Sequence, residues 1–380
     1  MKVLAVRAAF AAALLGLATA LSSTASAGDA DQVAQAHKVN VTDAMGRTVS
    51  VEAPADRVVV TFNYEEFAAI AGPKAFDKVV GFTKTVWYDW RRSIWNKYAA
   101  AVPRIAEIPD VGLAYDGTFS VEKVIALKPQ AVIMPKWAFD ALGPAIGQME
   151  AAGIPTVVIN YNAMRIETHV ASTLAIGKVM GTEARAQELA ALYKSKVEDL
   201  RARIAKAGRT PPKVYIELGM KGPGEYDVSF AADQWGPLME TAGGANIAKG
   251  KIEAEAPLAA EYVLSSNPDF VFIAGSNWTN APNAVELGFG VDKALANTRL
   301  KGYLARPGWS GVTAIKNGDL YAIHHGIART LFDFAGMQFL AKAMYPEQFR
   351  DIDPEASLRD YFNTYLPVKY EGTWMLKVRK

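Results

Sequence analysis

One amphipathic stretch near the middle of the chain constrains its fold more than any other feature. Between residues 182 and 206, apolar side chains recur at spacings of three or four with charged residues between them. This pattern predicts one helix of about 25 residues, roughly 37 Å long at 1.5 Å per residue. Gly208 and Pro211 end it. The stretches on either side have a different pattern, so we expect the helix to join two separate lobes.

The flanking stretches alternate short apolar strands with helices. Val39 to Val51 alternates apolar and polar residues around a turn and predicts a hairpin. Continuous apolar runs indicate strands at 57–62, 79–82, 131–134, 156–159, 213–218, 270–274 and 320–323. Helical stretches lie between them, which favours parallel sheets covered on both faces. We therefore predict an α/β protein with two doubly wound lobes, residues 39–181 and 208–380, joined by the helix at 182–207.

The first 27 residues are typical of a secretory signal peptide. Lys2 and Arg7 precede an apolar stretch, and Ala25 to Ala27 forms a small-residue cleavage site. With both cations removed, the chain keeps 39 basic and 39 acidic residues. A neutral exported chain is poorly suited to nucleic acid or anionic membranes. The sequence has no cysteine, which excludes disulfides and a lipid-anchored N-terminal cysteine. We expect a monomeric periplasmic protein that is not a lipoprotein.

A helix–proline–strand unit occurs once in each half of the chain. SVEKVIALKPQAVI begins at Ser120, and AAEYVLSSNPDFVF begins at Ala259. Each copy carries a glutamate near the start of its helix, Glu122 and Glu261. The repeat indicates two similar lobes.

Four segments resemble the periplasmic substrate-binding proteins of ABC importers for metal chelates. They are, in chain order, VTDAMGRTVSVEAPADRVV, SVEKVIALKPQAVI, METAGGANIA and GIARTLFDFAGMQFLAKAMYPEQF. The resemblance covers roughly residues 39 to 350. It implies a ligand held between two lobes on a stiff helix, and a permease and ATPase as partners. It also implies that Glu122 and Glu261 dock onto arginine pockets of the permease, although exposed helix carboxylates need no such role.

Aromatic and basic residues cluster in the turns that follow the predicted strands. Parallel strands open a crevice at their carboxyl ends, so these turns are expected to line the ligand site. Aromatic faces suit a planar chelate, and arginines suit its anionic groups. The candidate ligand-binding residues are Tyr64, Trp87, Tyr88, Arg91, Trp137, Tyr161, Trp278, His324 and Arg329.

Tyr64, His324 and His325 are the candidates for direct contact with a metal, because phenolate and imidazole can both bind iron. The two histidines are adjacent on an extended segment, so only one of them faces the cleft easily. We expect no intrinsic cofactor and a bound metal complex, most simply a ferric chelate of siderophore type. Haem, cobalamin, a nickel complex and molybdate stay open as ligands.

No catalytic motif stands out in the sequence. It lacks a phosphate-binding glycine loop, a His-Glu-x-x-His pair and a Gly-x-Ser-x-Gly turn. We therefore predict a binding protein and not an enzyme. A periplasmic metallochaperone or enzyme, or a sensor that reports ligand to a membrane partner, could use the same two-lobed scaffold.

Overall fold

A small antiparallel hairpin precedes a four-stranded parallel sheet in the first part of the chain. The structure, a computed structural model, describes residues 36–379, so the predicted signal peptide lies outside the described residues. The strands are β1 (His37–Thr42), β2 (Thr48–Ala53), β3 (Val58–Val60), β4 (Val79–Phe82), β5 (Ala131–Pro135) and β6 (Thr156–Ile159). The sheet order is β4-β3-β5-β6, with every pair parallel. The predicted hairpin and strands of this lobe are confirmed.

Eight helices accompany this sheet among the described residues. They are α1 (Tyr64–Ala71), α2 (Thr85–Tyr88), α3 (Arg92–Ala101), α4 (Arg104–Glu107), α5 (Val121–Leu127), α6 (Lys136–Leu142), α7 (Ala145–Ala151) and α8 (Ile166–Met180). Helix α1 begins four residues after β3, and α6 begins directly after β5. The first turns of both helices therefore lie at the carboxyl edge of the sheet.

The long helix is present as α9, Glu183–Ala207, with 25 residues. Its buried side chains are Ala186, Leu189, Ala190, Tyr193, Val197 and Leu200. The amphipathic pattern also includes Ile204, which is half-buried. The opposite face is charged and faces solvent, as the alternation of apolar and charged residues requires.

The second sheet is mixed. Its strands are β7 (Lys213–Leu218), β8 (Val228–Phe230), β9 (Ala245–Asn246), β10 (Glu255–Pro257), β11 (Phe270–Gly275), β12 (Leu320–His324) and β13 (Met375–Lys377). The order is β10-β8-β7-β11-β12-β13, with β9 on β7. The central strands β7, β11 and β12 are parallel, whereas β8, β10 and β13 add antiparallel edges. The sequence predicted only the three central strands, because each edge strand has only three residues.

Six further helices accompany the second sheet. They are α10 (Trp235–Thr241), α11 (Ala260–Ser266), α12 (Lys293–Lys301), α13 (Thr313–Asn317), α14 (Asp333–Met344) and α15 (Pro354–Tyr365). The protein is thus an α/β fold of two lobes with one long helix between them. No helix within residues 36–379 is long and apolar enough to cross a membrane.

The predicted repeat has the same geometry in both lobes. Helix α5 leads through a proline turn into β5, and α11 leads through one into β11. The residues that end the two helices, Lys128 and Asn267, both have left-handed backbone angles, with φ of 48° and 46°. A left-handed residue before proline turns the chain sharply from helix to strand.

The two sheets share one apolar core. The largest cluster of buried side chains includes Ile133 of the first sheet, Tyr193 and Val197 of α9, and Ile216 and Ile323 of the second sheet. Burial of apolar surface therefore stabilises both lobes and the helix between them together.

Candidate functional site

A cleft of about 520 Å³ lies between the lobes, at the carboxyl ends of the first sheet's strands. We call it the central cleft. Phe62 follows β3, Trp137 follows β5 and Asn160 follows β6, as expected for a crevice at the ends of parallel strands. The complete lining is Phe62, Trp90, Tyr115, Lys136, Trp137, Asp140, Asn160, Asn162, Ala163, Asp233, Gln234, Glu255 and Arg329.

Aromatic rings form much of the central cleft's wall. Phe62 and Trp137 meet edge to face, with 5.4 Å between their ring centroids. Trp90 and Tyr115 are 42% and 80% exposed, so both present large apolar faces to the opening. Exposed rings of this size gain area burial and stacking when a flat ligand covers them.

A hydrogen-bonded series of polar side chains crosses the second lobe's side of the cleft. Arg329 Nη1 donates to Gln234 Oε1 at 2.6 Å, and Gln234 Nε2 donates to Glu255 Oε2 at 3.0 Å. Arg329 and Gln234 both have left-handed backbone angles, with φ of 63° and 44°. Strained residues of this kind persist where surrounding contacts hold them and are common at binding sites. The guanidinium of Arg329 is thus held in a defined position on the cleft wall.

A narrow cavity, the inner chamber, lies behind the central cleft and shares Phe62 and Arg329 with it. Its volume of about 20 Å³ suits one water molecule or one terminal group of a ligand. The lining is Phe62, Asn63, Tyr64, Glu65, Glu66, Val86, Trp87, Arg91, Gly326, Ala328, Arg329 and Thr330. Two atoms of this lining, Asn63 Oδ1 and Arg91 Nε, are buried without a hydrogen-bond partner.

An apolar extension, the outer groove, lies on the other side of Trp90. It has a volume of about 380 Å³ and is lined by Asp89, Trp90, Met220, Trp278, Thr279, Asn280 and Ala281. Trp90 lines both this groove and the central cleft. The three spaces therefore form a series from a polar interior to an apolar outer end.

Three hydrogen bonds join the lobes beside these cavities. Asn63 Nδ2 donates to the Arg329 carbonyl at 3.2 Å. The backbone N–H of Leu331 donates to Glu66 Oε1 at 3.1 Å, and the N–H of Thr279 donates to the Trp90 carbonyl at 3.1 Å. The site therefore belongs to both lobes at once.

Burial changes the acidity of the chamber's charged groups. Desolvation, reinforced by the neighbouring Glu65 carboxylate, raises the pKa of Glu66 to about 8. Burial also raises the pKa of Glu65, against the attraction of Arg91 and Arg329. It lowers the pKa of Arg91 to about 10, so the Arg91 guanidinium is charged at neutral pH, and it also lowers the pKa of Arg329.

Four of the nine candidate residues lie in these cavities with polar or aromatic groups available. Trp137 and Arg329 line the central cleft, Arg91 lines the inner chamber and Trp278 lines the outer groove. Tyr88 lies beside them but packs on Trp95 at 5.0 Å, with the Arg92 guanidinium 3.5 Å above its ring. It lines none of the three cavities, so ligand contact by Tyr88 stays a prediction.

Three other candidates are buried in the core, and their role as ligand contacts stays a prediction. Tyr64 is 1% exposed, and its hydroxyl lies 2.8 Å from the Thr61 carbonyl and 2.7 Å from the Thr83 carbonyl, which share its one proton, so the hydroxyl is already engaged by the protein. Trp87 packs on Tyr98 at 4.3 Å. The side chains of Tyr64 and Trp87 form part of the wall of the inner chamber. Tyr161 is fully buried and shares a hydrogen bond with Thr173.

Both histidines are buried in hydrogen bonds, which corrects their assignment as metal contacts. His324 Nδ1 accepts from the N–H of Gly326 at 3.1 Å, and its Nε2 lies 3.3 Å from Ser276 Oγ. His325 Nδ1 accepts from Trp235 Nε1 at 3.3 Å. Burial lowers both pKa values well below the usual range, so both rings are neutral at neutral pH. Among residues 36–379, no three His, Asp or Glu side chains converge as a metal site would require.

The sequence analysis missed several lining residues. Trp90 and Tyr115 are aromatic residues in loops whose direction no periodicity could predict. Asp233 and Glu255 belong to the β8–β10 region, where the edge strands were not predicted. The signal for Lys136, Asn160 and Asn162 was present, since all three follow predicted strands directly.

The two repeat glutamates lie on the surface, away from the cleft lining. Glu122 is the second residue of α5 and Glu261 is the second residue of α11, and both are exposed. The Ser120 hydroxyl donates to Glu122 at 3.2 Å. Their placement is equivalent in the two lobes.

Comparison with known proteins gives consistent results. A family model described as periplasmic binding protein matches residues 59–325. A solved structure, the TroA-like periplasmic binding protein FepB from Veillonella parvula, superimposes with a TM-score of 0.86 at 37% identity. That match covers 90% of this chain and all of the other.

Two curated relatives are similar over most of their length. The uncharacterized ABC transporter substrate-binding lipoprotein YvrC of Bacillus subtilis is 24% identical, over 91% of this chain and 99% of YvrC. The molybdate-binding protein MolA of Haemophilus influenzae is 23% identical, over 87% of this chain and 92% of MolA. YvrC is named a lipoprotein.

Proposed function

The chain belongs to the periplasmic binding protein family, and on that premise we propose that it captures an iron chelate of siderophore type for an inner-membrane ABC importer. It is a substrate-binding protein of the ABC-importer class and not an enzyme. The identity of the chelate and its delivery to a permease and ATPase are our proposal. We also propose that capture takes place in the periplasm, that the first 27 residues are a signal peptide, and that the lobes comprise residues 39–181 and 208–380.

The central cleft is the observation that carries the proposal. Its volume of about 520 Å³ is in the range of pockets that enclose organic ligands of several rings or chelating arms. The rings of Phe62, Trp90, Tyr115 and Trp137 suit the apolar faces of such a chelator. A tetrahedral oxyanion such as molybdate would fill only a small part of this space. The outer groove adds room for a side arm of the chelator.

The docking surfaces are proposed to be Glu122 and Glu261. Both carboxylates are exposed at the same place in each copy of the repeat, one on each lobe. A permease that contacts both lobes would meet one carboxylate on each. Arginine side chains on the partner would pair with them in two-pronged geometry.

Native purification from the periplasm tests the proposed ligand directly. We expect the protein to retain iron in about equal amount to protein, with a broad charge-transfer band in its visible spectrum. A Soret band would identify haem instead, and a cobalt corrinoid spectrum would identify cobalamin. A colourless, metal-free protein whose melting temperature no metal chelate shifts would overturn the proposal.

A matched pair of variants ties the ligand to the cleft. Trp90→Ala removes a ring that lines both the central cleft and the outer groove. Tyr88→Ala removes a similarly exposed ring, two residues away, that lines neither. Titrated with the chelate that the protein retains, Trp90→Ala should bind at least about fivefold more weakly, since a stacked aromatic contributes about 1 kcal/mol or more. Equal loss in both variants would place the ligand elsewhere.

A further inference from the structure

We propose that the ligand is a neutral or cationic chelate that carries hydrogen-bond donors, and not a polyanionic one. This inference rests on the proposed function and specifies the chemistry of the ligand. Six carboxyl groups line the central cleft, the inner chamber and the outer groove, against three basic side chains. Glu66, with its pKa raised to about 8, holds its proton at neutral pH, and the other five still outnumber the basic groups. The carboxyl groups are Glu65, Glu66, Asp89, Asp140, Asp233 and Glu255, and the basic residues are Arg91, Lys136 and Arg329.

The basic groups of the central cleft are already engaged by the protein. Lys136 Nζ lies 2.5 Å from Asp140 Oδ2, an ion pair within one helix. Arg329 donates to Gln234, and the negative charges of Asp233 and Glu255 attract its guanidinium. An anionic ligand would therefore have to compete with internal carboxylates for either cation. A donor-bearing or cationic group meets a surplus of acceptors instead.

The inner chamber holds two arginines and two glutamates, of which Glu66 keeps its proton at neutral pH. Arg91 lies against the second lobe, where a Cβ atom on Gly326 would lie only 3.3 Å from Arg91 Nη1. Arg91 Nε needs an acceptor and Asn63 Oδ1 needs a donor, and both atoms are buried. One small group that has both functions, such as a hydroxyl or a primary amide, satisfies the pair without adding charge.

An unpartnered acceptor also lies in the central cleft. Asn162 Oδ1 is buried there and has no hydrogen-bond partner. It can only accept, so it favours a donor on the ligand. Charge surplus and unpaired acceptors on separate elements thus indicate the same ligand chemistry.

Three ferric trihydroxamates that share one iron centre test the charge dependence. Ferrioxamine B carries a free ammonium group, its N-acetyl derivative is neutral and its N-succinyl derivative carries a carboxylate. Tryptophan quenching in low salt should give the tightest binding for the ammonium or acetyl form. The succinyl form should bind at least tenfold more weakly, and 0.5 M salt should narrow the difference because it screens charge.

Matched variants locate the effect. Glu255→Gln should strengthen succinyl binding relative to the wild type, because it removes a carboxylate from the cleft. Glu253→Gln, an exposed carboxylate two residues away that does not line the cleft, should leave the order unchanged. An identical response in both variants would contradict a local origin of the discrimination.

The outcomes separate this inference from the proposed function. Equal or tighter binding of the succinyl form overturns the inference and leaves chelate capture in place. If none of the three binds, the ligand is not a ferric trihydroxamate, and the charge of the ligand retained on native purification decides the inference. A neutral or cationic retained ligand, read by mass spectrometry and electrophoresis, supports it. A retained polyanion overturns it.

Discussion

Replacing Glu66 by glutamine should destabilise the protein at acidic pH and stabilise it at alkaline pH. The Glu66 carboxylate is buried, accepts from Asn63 Nδ2 and the Leu331 N–H, and has a pKa raised from 4.5 to about 8. A folded chain that holds its proton more tightly than the unfolded chain is most stable below the unfolded pKa. Its stability then falls as pH rises, until the folded group also ionises. The loss therefore occurs between pH 4.5 and about 8.

The magnitude follows from the shift. Each pKa unit corresponds to about 1.4 kcal/mol, so the full shift corresponds to an upper limit of about 5 kcal/mol at pH 9. Glutamine cannot ionise and removes this cost. It keeps only one acceptor oxygen, so one donor from Asn63 or Leu331 meets an amide N–H instead, at a cost of about 1 kcal/mol. Glu66→Gln should thus be less stable than the wild type by about 1 kcal/mol below pH 4, about equally stable at pH 5, and more stable by up to about 4 kcal/mol at pH 9.

Urea unfolding followed by tryptophan fluorescence at pH 5, 7 and 9 measures this difference. Titrating groups that do not interact with Glu66 are common to the two proteins and cancel in the comparison, whereas the neighbouring Glu65 does not cancel fully. Glu167→Gln, an exposed carboxylate on α8, serves as the control and should show no pH-dependent difference. A Glu66→Gln difference that is the same at all three pH values would refute the reasoning, because it would mean that Glu66 does not hold a proton in the fold.

Three other changes have distinct expected results. Glu122→Ala combined with Glu261→Ala should leave chelate affinity unchanged but abolish ligand-stimulated ATPase activity of the reconstituted importer; intact stimulation would disprove docking. Tyr64→Phe should lower the free energy of unfolding by about 1–3 kcal/mol without changing affinity, since two buried carbonyls lose their donor; an affinity loss at full stability would instead mean ligand contact. Glu217→Ala should cost about 3–5 kcal/mol in urea unfolding, because it leaves buried Arg306, now 2.6 and 2.8 Å from that carboxylate, unpaired; a neutral result would contradict this.

The fold could be predicted from the sequence where patterns are long and continuous. The 25-residue amphipathic stretch predicts the helix α9, because one of its faces is buried. The continuous apolar runs predict the strands β5 and β6, because both of their faces are buried. The sequence did not predict the edge strands β8 and β10, because three residues are too few to show an alternation of apolar and polar side chains. Those two strands position Glu255 and the loop of Asp233, so part of the site was missed with them.

Side-chain direction in short elements was beyond sequence reasoning. Trp87 and Trp90 lie three residues apart in one aromatic segment, yet Trp87 is 1% and Trp90 42% exposed. Helix α2 has only four residues, so its orientation is set by packing of Trp87 against Tyr98 and Tyr64 from other elements. The sequence correctly indicated aromatic residues in this turn, and tertiary packing decided which ring lines the cleft.

The apolar core that both sheets share determines how the molecule comes apart. Ile133, Tyr193 and Ile323 belong to one cluster, so neither lobe can lose its structure without exposing surface that the other lobe also needs. The two lobes should therefore melt in a single cooperative transition, in which calorimetric and van 't Hoff enthalpies agree. Partly unfolded forms with one intact lobe should stay rare. A protease would then encounter either the fully folded molecule or the fully unfolded chain.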